Sequence, residues 1–269
     1  MTNSLRIMAL AAALGLCACT TVNTTAPGAV GIARQQSFLV SAEAVQNAAG
    51  QSYAKTLTEG RGKGVINNKP AMLARVQGVS RRVIAQVGAF RPDAKGWNWE
   101  INVMDTAEIN AWCMAGGKIM VYSGLIDKLQ PTDAELAALM GHEIAHALRE
   151  HTREAVSRSV GQQLVLGGLA AATGASASTV QIANAVAQVT YSLPHGREQE
   201  TEADRIGLEL MARAGYDPRA AVTFFQKLGK AAPSSGPSWL STHPQSAARA
   251  ADLNAYIPRV MPLYEAAKR

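Results

Sequence analysis

Apolar residues recur at helical spacing after Pro131, and this pattern predicts the helix around which the chain is organised. Thr132 and Glu135 have the spacing of a capping box, in which the threonine caps the helix and the glutamate reaches back to its backbone N–H. The apolar positions that follow lie on one face of a helix and are Leu136, Leu139, Met140, Ile144 and Ala147. The pattern therefore predicts a helix that begins at Thr132 and buries this face.

Weaker patterns predict the elements before this helix. Two helical stretches cover about residues 38–57 and 70–87. Alternation of apolar with polar or small residues over 97–104 predicts a half-buried strand, and two shorter strands are predicted at 110–114 and 118–122.

The chain beyond the central helix is also predicted to be helical. Residues 159–194 contain no Asp, Glu, Lys or Arg, but polar residues interrupt every long apolar run. We expect two buried or surface helices there, broken near Gly174, with a membrane-facing role as the alternative. A helix that opens near Arg197 ends at Gly215, and tail helices follow. The whole pattern predicts an α+β, mainly helical fold with a small β-sheet.

The composition is that of a globular protein and indicates no nucleic-acid surface. Of the 269 residues, 48% are apolar and 17% are charged, which is ample for a core. The formal net charge is +6, but Lys and Arg are dispersed, with no run longer than Arg81-Arg82. We therefore expect attraction to anionic membrane surfaces and no nucleic-acid partner.

The beginning of the chain has the form of a bacterial lipoprotein signal. Arg6 precedes an apolar segment at 7–16, and Leu16-Cys17-Ala18-Cys19 resembles a lipobox. Residues 1–18 are predicted to be a signal peptide and Cys19 the lipidation site, with a plain secretory signal as the alternative. The Thr after Cys19 resembles the sorting context for the outer membrane. We expect a periplasmic protein, held by the lipid anchor at Cys19 on the inner face of the outer membrane of a two-membrane bacterium.

An H-E-x-x-H motif lies inside the predicted central helix. His142 and His146 are one helical turn apart, so their imidazoles can face one metal ion. Glu143 lies beside them and can take a proton from an attacking water without binding the metal. Because the motif also occurs by chance as two ordinary helix histidines, a third ligand is needed. His151 lies off the ligand face and is expected to be structural, and His195 is expected in a polar turn.

The acidic run that follows Arg197 offers the third ligand. Glu200 and Asp204 are again one turn apart. Glu200 would bind zinc, and Asp204 would accept the free ring N–H of a ligating histidine and fix its tautomer. Spacing alone does not distinguish Glu200 from Glu198 or Glu202 as the ligand.

H-E-x-x-H followed by E-x-E-A-D-x-x-G resembles the HtpX, Oma-type and CAAX prenyl protease superfamily of gluzincin zinc metallopeptidases, above all its periplasmic BepA-like and LoiP-like lipoproteins. The resemblance covers roughly residues 70–255. It implies a zincin-like metallopeptidase domain, with the sheet bordering the active-site helix, one Zn²⁺ per chain and Glu200 as the ligand. The other matching positions are Asn110-Ala111, Gly116-Gly117-Lys118-Ile119, Ser123-Gly124-Leu125, Thr242-His243-Pro244 and Arg249.

The same resemblance implies roles for residues outside the motifs. Asn110, Ala111 and Trp112 would lie on the edge strand that pairs with an extended substrate, with a hairpin that only packs on the helix as the alternative. His243 would lie near the metal. There it would donate to the transition-state oxyanion or occupy the open zinc position and hold the enzyme latent. Arg249 could also stabilise the oxyanion.

Together these features predict one catalytic domain behind a flexible segment. Residues 19–36, rich in Thr, Ala, Gly and Pro, are predicted to be a tether, and 37–269 the zinc metallopeptidase domain. Once the signal is removed and Cys19 acylated, Cys113 is the only free cysteine, so no intramolecular disulfide is expected.

The predicted activity is a zinc-dependent endopeptidase that acts on unfolded or misassembled periplasmic and outer-membrane proteins in envelope quality control. Glu143 would take a proton from the attacking water and deliver it to the leaving amine. The alternative is a largely latent zinc-binding chaperone or assembly factor for outer-membrane proteins, with His243 shutting the zinc site. A scaffold with a structural zinc is disfavoured, because such sites close all four positions with protein groups.

Overall fold

The computed structural model of the chain describes residues 20–166, 178–231 and 239–268. The predicted signal peptide at 1–18, the lipidation site Cys19 and the predicted helix break at Gly174 lie outside the described residues. Within the described ranges, every helix falls short of the length and apolarity that a bilayer crossing demands.

The first described segment is a packed hairpin. Strand β1 (Thr20–Val22) pairs antiparallel with strand β2 (Gln36–Phe38). Val30 and Ile32, between the strands, are buried in the main hydrophobic core, and the Gln36 amide donates to a backbone carbonyl oxygen at the end of the central helix. Residues 20–36 are therefore docked on the domain and are not the predicted tether. Their overall composition is typical of a tether, but a few apolar side chains among them are buried against the domain.

Two helices and a pair of 3-10 turns follow the hairpin. Helix α1 (Ala42–Gly62) begins later than predicted, because the Ser41 side chain accepts from the Ala44 backbone N–H and caps it. Helix α2 (Pro70–Ile84) begins at the predicted proline, and the turns at Val87–Ala89 and Pro92–Gly96 lead into the sheet.

The main sheet has three strands, all near their predicted positions. They are β3 (Glu100–Met104), β4 (Ala111–Met114) and β5 (Lys118–Tyr122). The order is β3-β5-β4, with β5 parallel to β3 and antiparallel to β4. Gly116 and Gly117 have φ of +78° and +83° and form the turn between β4 and β5, a backbone conformation that other residues rarely adopt. Because β5 lies between the other two strands, β4 is at an edge of the sheet.

The remaining elements are helical, which confirms the predicted mainly helical α+β class. Thr132 and Glu135 form the predicted capping box at the central helix. Gly215, with φ of +76°, follows the helix that opens at Arg197. In chain order the helices are α3 (Ser123–Leu129), α4 (Asp133–Leu148), α5 (His151–Leu166), α6 (Thr179–Tyr191), α7 (Arg197–Arg213), α8 (Arg219–Ala231), α9 (Trp239–Thr242) and α10 (Ala247–Ala267).

Helix α4 lies at the centre of the domain, between β4 and α7. It crosses α7 where each helix has a glycine. A Cβ on Gly141 would lie 2.7 Å from the Gly207 carbonyl oxygen, and a Cβ on Gly207 would lie 2.7 Å from the His142 backbone nitrogen. The two backbones can touch because neither glycine has a side chain. Side chains near this crossing on both helices consequently reach the same point.

Candidate metal centre and active site

Helix α4 presents two buried histidines on one face. The Nε2 atoms of His142 and His146 lie 3.1 Å apart, and both rings are shielded from solvent. Residues four apart on a helix of 3.6 residues per turn occupy the same face. The structure thus brings the two imidazole nitrogens together as the sequence predicts.

Helix α7 adds the carboxylate of Glu200 to this pair. Its Oε1 lies 3.4 Å from His146 Nε2, and its Oε2 lies 3.6 Å from His142 Nε2. The two glutamates that spacing left open point elsewhere. The Glu198 side chain is 76% exposed, whereas Glu202 is engaged in a buried ion pair. The structure therefore places Glu200 with the histidines, in agreement with the position implied by the family resemblance.

His142 is oriented by a carboxylate that an arginine holds. Its Nδ1 lies 3.0 Å from Asp204 Oδ1, and Arg249 donates to both Asp204 oxygens at 2.7 Å. Such a contact holds the proton on Nδ1 and leaves Nε2 free. Asp204 occupies the place predicted for it. Arg249 also donates to the Pro244 carbonyl oxygen. Its guanidinium thus binds protein oxygens, whereas it was expected from the sequence to stabilise the oxyanion.

His146 is oriented by a third histidine. Its Nδ1 lies 2.8 Å from His151 Nδ1, and His151 Nε2 lies 3.0 Å from Glu202 Oε2. The expectation that His151 lies off the ligand face assumed one continuous helix. Glu150 instead adopts φ of +52°, which separates α4 from α5 and turns His151 back towards His146. Its contact with a site histidine was therefore missed from sequence.

The converging atoms fit a bound cation. Because His142 and His146 both donate from Nδ1, neither Nε2 atom carries a proton, and the lone pairs of the two Nε2 atoms face each other. No donor in the described ranges is aligned to hydrogen-bond Glu200 Oε2, although Arg249 Nη1 approaches it to 2.5 Å. Candidate ligand atoms of His142, His146, Glu200 and His243 all lie within 4.8 Å of one another. Two imidazoles and a carboxylate beside an open position are the donor set of a catalytic zinc site.

Glu143 lies beside the candidate metal ligands and is held by a tryptophan. The Trp239 indole N–H donates to Glu143 Oε1 at 2.6 Å, and His243 Nε2 lies 3.6 Å from the same oxygen. The indole also stacks on the His243 ring, with centroids 4.3 Å apart. His243 Nδ1 lies 3.2 Å from His142 Nε2, so His243 is near the metal ligands as predicted. Trp239 was not predicted from the sequence to be in the site. The feature that could have revealed it is a tryptophan shortly before His243 in a Pro- and Ser-rich stretch.

His195 is a further residue that sequence reasoning left outside the site. Its ring centroid lies 4.2 Å from that of His146 and 5.0 Å from that of His243. Its backbone N–H donates to the Thr242 carbonyl oxygen. This bond ties the segment before α7 to the end of α9 and brings the His195 ring to the edge of the metal centre.

The charges around the site favour protonation states that bind metal. Burial raises the pKa of the Glu200 carboxyl, but the attraction of His243 and the close contacts with His146 and His243 hold it well below its ordinary value. Burial, and then the charge of His195, lower the pKa of the His146 imidazole. Burial also lowers the pKa of His243, yet Glu143 and Glu200 raise it overall. A deprotonated carboxylate and a neutral imidazole are the forms that bind zinc.

The strand predicted to receive substrate has buried side chains and one edge that no described strand pairs with. The Tyr122 backbone N–H donates to the Asn110 carbonyl oxygen, so in this antiparallel register Asn110 and Trp112 direct their peptide groups to β5. Those of Ala111 and Cys113 face the other way, where no strand of the described residues pairs with them. The Ala111 N–H meets only the side-chain oxygen of Asn110.

Metalloproteases are among the known proteins that are similar to the chain. The OMA1 mitochondrial metalloendopeptidase of Arabidopsis thaliana is 36% identical over 173 residues, 63% of this chain and 34% of that protein. The metalloprotease LoiP of Escherichia coli is 32% identical over 173 residues, 64% of this chain and 68% of LoiP. The beta-barrel assembly-enhancing protease of Escherichia coli is 28% identical over 221 residues, 76% of this chain and 42% of that protein.

The family profile covers the whole of the candidate site. The chain spans 34%, 40% and 52% of the OMA1 proteins of Arabidopsis thaliana, Bos taurus and Schizosaccharomyces pombe. The profile of peptidase family M48 matches residues 70–257, which include the sheet, both site helices and His243. From this match and from the two helices that bring a histidine pair and a glutamate to one point, we conclude that the chain belongs to peptidase family M48.

Proposed function

We propose that this chain is a zinc-dependent endopeptidase in which His142, His146 and Glu200 hold one zinc ion. The observation that carries the proposal is the convergence of these three side chains. Membership in a peptidase family and similarity to three kinds of metalloprotease support the chemistry.

The residues around the ligands are suited to peptide hydrolysis. Zinc at this site supplies Lewis-acid polarisation of the scissile carbonyl and makes water more acidic. Glu143 takes the proton of the attacking water and delivers it to the leaving amine, a role that needs its carboxylate beside the ligands. His243, stacked on Trp239 and 3.6 Å from Glu143, donates a hydrogen bond to the developing oxyanion.

The substrate pairs with the unpaired edge of β4. The outward peptide groups of Ala111 and Cys113 hydrogen-bond an extended chain, and Asn110 and Trp112 flank the paired position. The Trp239 backbone N–H donates to the Ile109 carbonyl oxygen at 2.8 Å, so this edge begins next to the segment that holds Glu143. Because only an extended backbone can add to a strand edge, unfolded or misassembled proteins are the substrate class.

The place of action in this proposal is the bacterial envelope. One relative is named for enhancing β-barrel assembly, and transmembrane β-barrels of bacteria belong to the outer membrane. A lipid on Cys19, in the lipobox-like sequence, anchors the chain to the inner face of that membrane, where its role is quality control of envelope proteins.

Zinc content and cleavage of unfolded casein, measured together on the wild type and on Glu143→Gln, test the proposal. We expect one zinc per chain in both proteins and a loss of cleavage of about 10²- to 10⁴-fold in the variant, since the general base is removed and the ligands stay. Wild-type protein without zinc would rule out the metal site. Cleavage by the variant at the wild-type rate would remove Glu143 from the mechanism.

The alternative of a largely latent chaperone depends on His243. Its Nδ1 lies 3.2 Å from His142 Nε2, close enough to compete for the open zinc position. The named relatives are peptidases, which favours the enzyme. His243→Ala separates the two functions, because cleavage slower than wild type fits an oxyanion donor and faster cleavage fits a residue that shuts the site.

A further inference from the structure

A buried chain of hydrogen bonds runs from His146 to the N-terminal segment. His151 links His146 to Glu202 through its two ring nitrogens, at 2.8 and 3.0 Å. Arg149 donates to both Glu202 oxygens at 3.0 and 3.2 Å, and Arg34 does so at 2.7 and 3.1 Å. His151 and Arg149 are completely buried. These contacts are distinct from the Asp204 contact that orients His142.

The end of this chain of bonds determines where the protons lie along it. Glu202, paired with two guanidinium groups, is ionised and can only accept. A neutral His151 must therefore donate from Nε2, and its Nδ1 is left as an acceptor. His146 in turn donates from Nδ1, which leaves its Nε2 without a proton and directed at Glu200. The carboxylate thus fixes the tautomer of His146 across an intervening imidazole.

We propose that His151 and Glu202 are positioning residues for His146, and that Arg34 makes the N-terminal segment part of this support. The inference rests on the metal site proposed above, because His146 is taken as a ligand. It assigns a purpose to a histidine, a buried glutamate and a docked segment that the hydrolytic mechanism itself does not use.

The N-terminal segment is bound to this support at several points. Arg34 also binds both Glu154 oxygens, and therefore joins α5 to α7. Arg149 donates to the Arg34 carbonyl oxygen at 2.9 Å and to the Thr24 and Thr25 hydroxyls at 3.2 and 3.3 Å. Docking of residues 20–38 therefore holds the two guanidinium groups that keep Glu202 charged and in place.

Substitution of His151 tests the proposal directly. His151→Leu removes both ring nitrogens, whereas His151→Asn keeps one acceptor and one donor in a single planar group. Zinc affinity is measured by competition with a chromogenic chelator, and ligand geometry by the visible spectrum of the cobalt-substituted full chain. We expect His151→Leu to bind zinc about 10- to 100-fold more weakly than wild type, with an altered cobalt spectrum, and His151→Asn to recover much of the loss.

A pair of glutamates on α7 provides the matched control. Glu202 and Glu209 are both buried, and each is bonded to an arginine and to the N-terminal segment, Glu209 through the Val30 N–H and Arg213. Only Glu202 touches a histidine of the support. Both Glu→Gln substitutions should lower the melting temperature, but only Glu202→Gln should weaken zinc binding by the folded protein. This pair decides the question if His151→Leu does not fold.

The outcomes separate this inference from the proposed function. Wild-type protein that binds no zinc defeats the metal site and the inference with it. Wild-type protein that binds zinc, together with His151→Leu of equal zinc affinity and unchanged cobalt spectrum, defeats only the inference. Equal weakening by Glu202→Gln and Glu209→Gln, or a His151→Asn no better than His151→Leu, would show a general stability effect and also overturn it.

Discussion

The two histidines of α4 at the candidate metal site, His142 and His146, are held in orientation by different groups, which form two different supports. His142 contacts the carboxylate of Asp204 directly, and Arg249 from α10 holds that carboxylate. His146 reaches its carboxylate, Glu202, only through His151. The first support joins α4 to α7 and α10. The second joins α4 to α5, α7 and the N-terminal hairpin.

The difference shows how far the metal centre extends into the fold. Asp204 is one turn from Glu200 on α7, so the carboxylate that contacts His142 lies on the same helix as the third candidate ligand. The support of His146 depends on a break between two helices and on Arg34, far away in sequence. Because both supports end at an ionised carboxylate, we expect each to fix the tautomer of its histidine.

Gly207→Ala should remove the distinction by disturbing both supports at once. The added Cβ would lie 2.7 Å from the backbone nitrogen of His142, so α4 and α7 must separate. We expect stability to fall by about 1–3 kcal/mol and zinc binding to weaken beyond either single-support variant. Urea unfolding and chelator competition measure both. Gly78→Ala on α2 is the control, since its Cβ meets nothing within 4 Å; a similar zinc loss there would contradict the prediction.

Asp204→Asn should weaken the support of His142 alone. An amide can still accept from His142, but its N–H groups would face the Arg249 guanidinium, so the contact is lost or reoriented. We expect zinc affinity to fall about 10- to 100-fold, comparable with His151→Leu. Isothermal titration of zinc into the metal-free protein measures this. Unchanged affinity would mean that only the support of His146 matters.

Acid should weaken the support of His146 first, through Glu154. Burial raises the pKa of this carboxyl, but hydrogen bonds from Arg34, Gln199 and Gln36 lower it to about 2 from an ordinary value of 4.5. The folded-state pKa is below the unfolded one, so this stabilisation is complete above about pH 5 and is lost as pH falls towards 2. The melting temperature should fall across this window, and less steeply in Arg34→Gln. Identical slopes would contradict the prediction.

Thr132→Ala should have the smallest effect and should touch neither support. Loss of the capping bond to the Glu135 N–H lowers the free energy of unfolding by about 1 kcal/mol. Urea denaturation measures this loss, and zinc affinity should equal that of the wild type. A weakened zinc site would mean that the start of α4 positions its histidines from a distance.

The parts of the site that one helix carries could be predicted from sequence. The capping box at Thr132 locates α4, and the spacing of His142 and His146 places both on one face. Spacing on α7 brings Asp204 to His142 but leaves Glu198, Glu200 and Glu202 equivalent. The family resemblance singles out Glu200, and the crossing of the helices, with Glu198 exposed and Glu202 turned to Arg149, gives the physical reason.

The parts that depend on chain direction between elements could not be predicted. The left-handed Glu150 redirects the chain after α4, and helical periodicity cannot foresee that His151 then faces His146. Trp239 begins the short helix α9 and Arg34 lies between β1 and β2, and no helical period relates either residue to its contacts on α4 and α7. The composition of residues 20–36 indicated a tether, because it does not show where Val30 and Ile32 can be buried.

The most direct test is a crystal structure of the zinc-loaded chain with anomalous data at the zinc absorption edge. We expect one strong peak between α4 and α7, about 2.0–2.2 Å from His142 Nε2, His146 Nε2 and a Glu200 oxygen, with His151 between His146 and Glu202. A peak bound by Glu198 or Glu202, or one that His146 does not touch, would contradict the proposed metal centre.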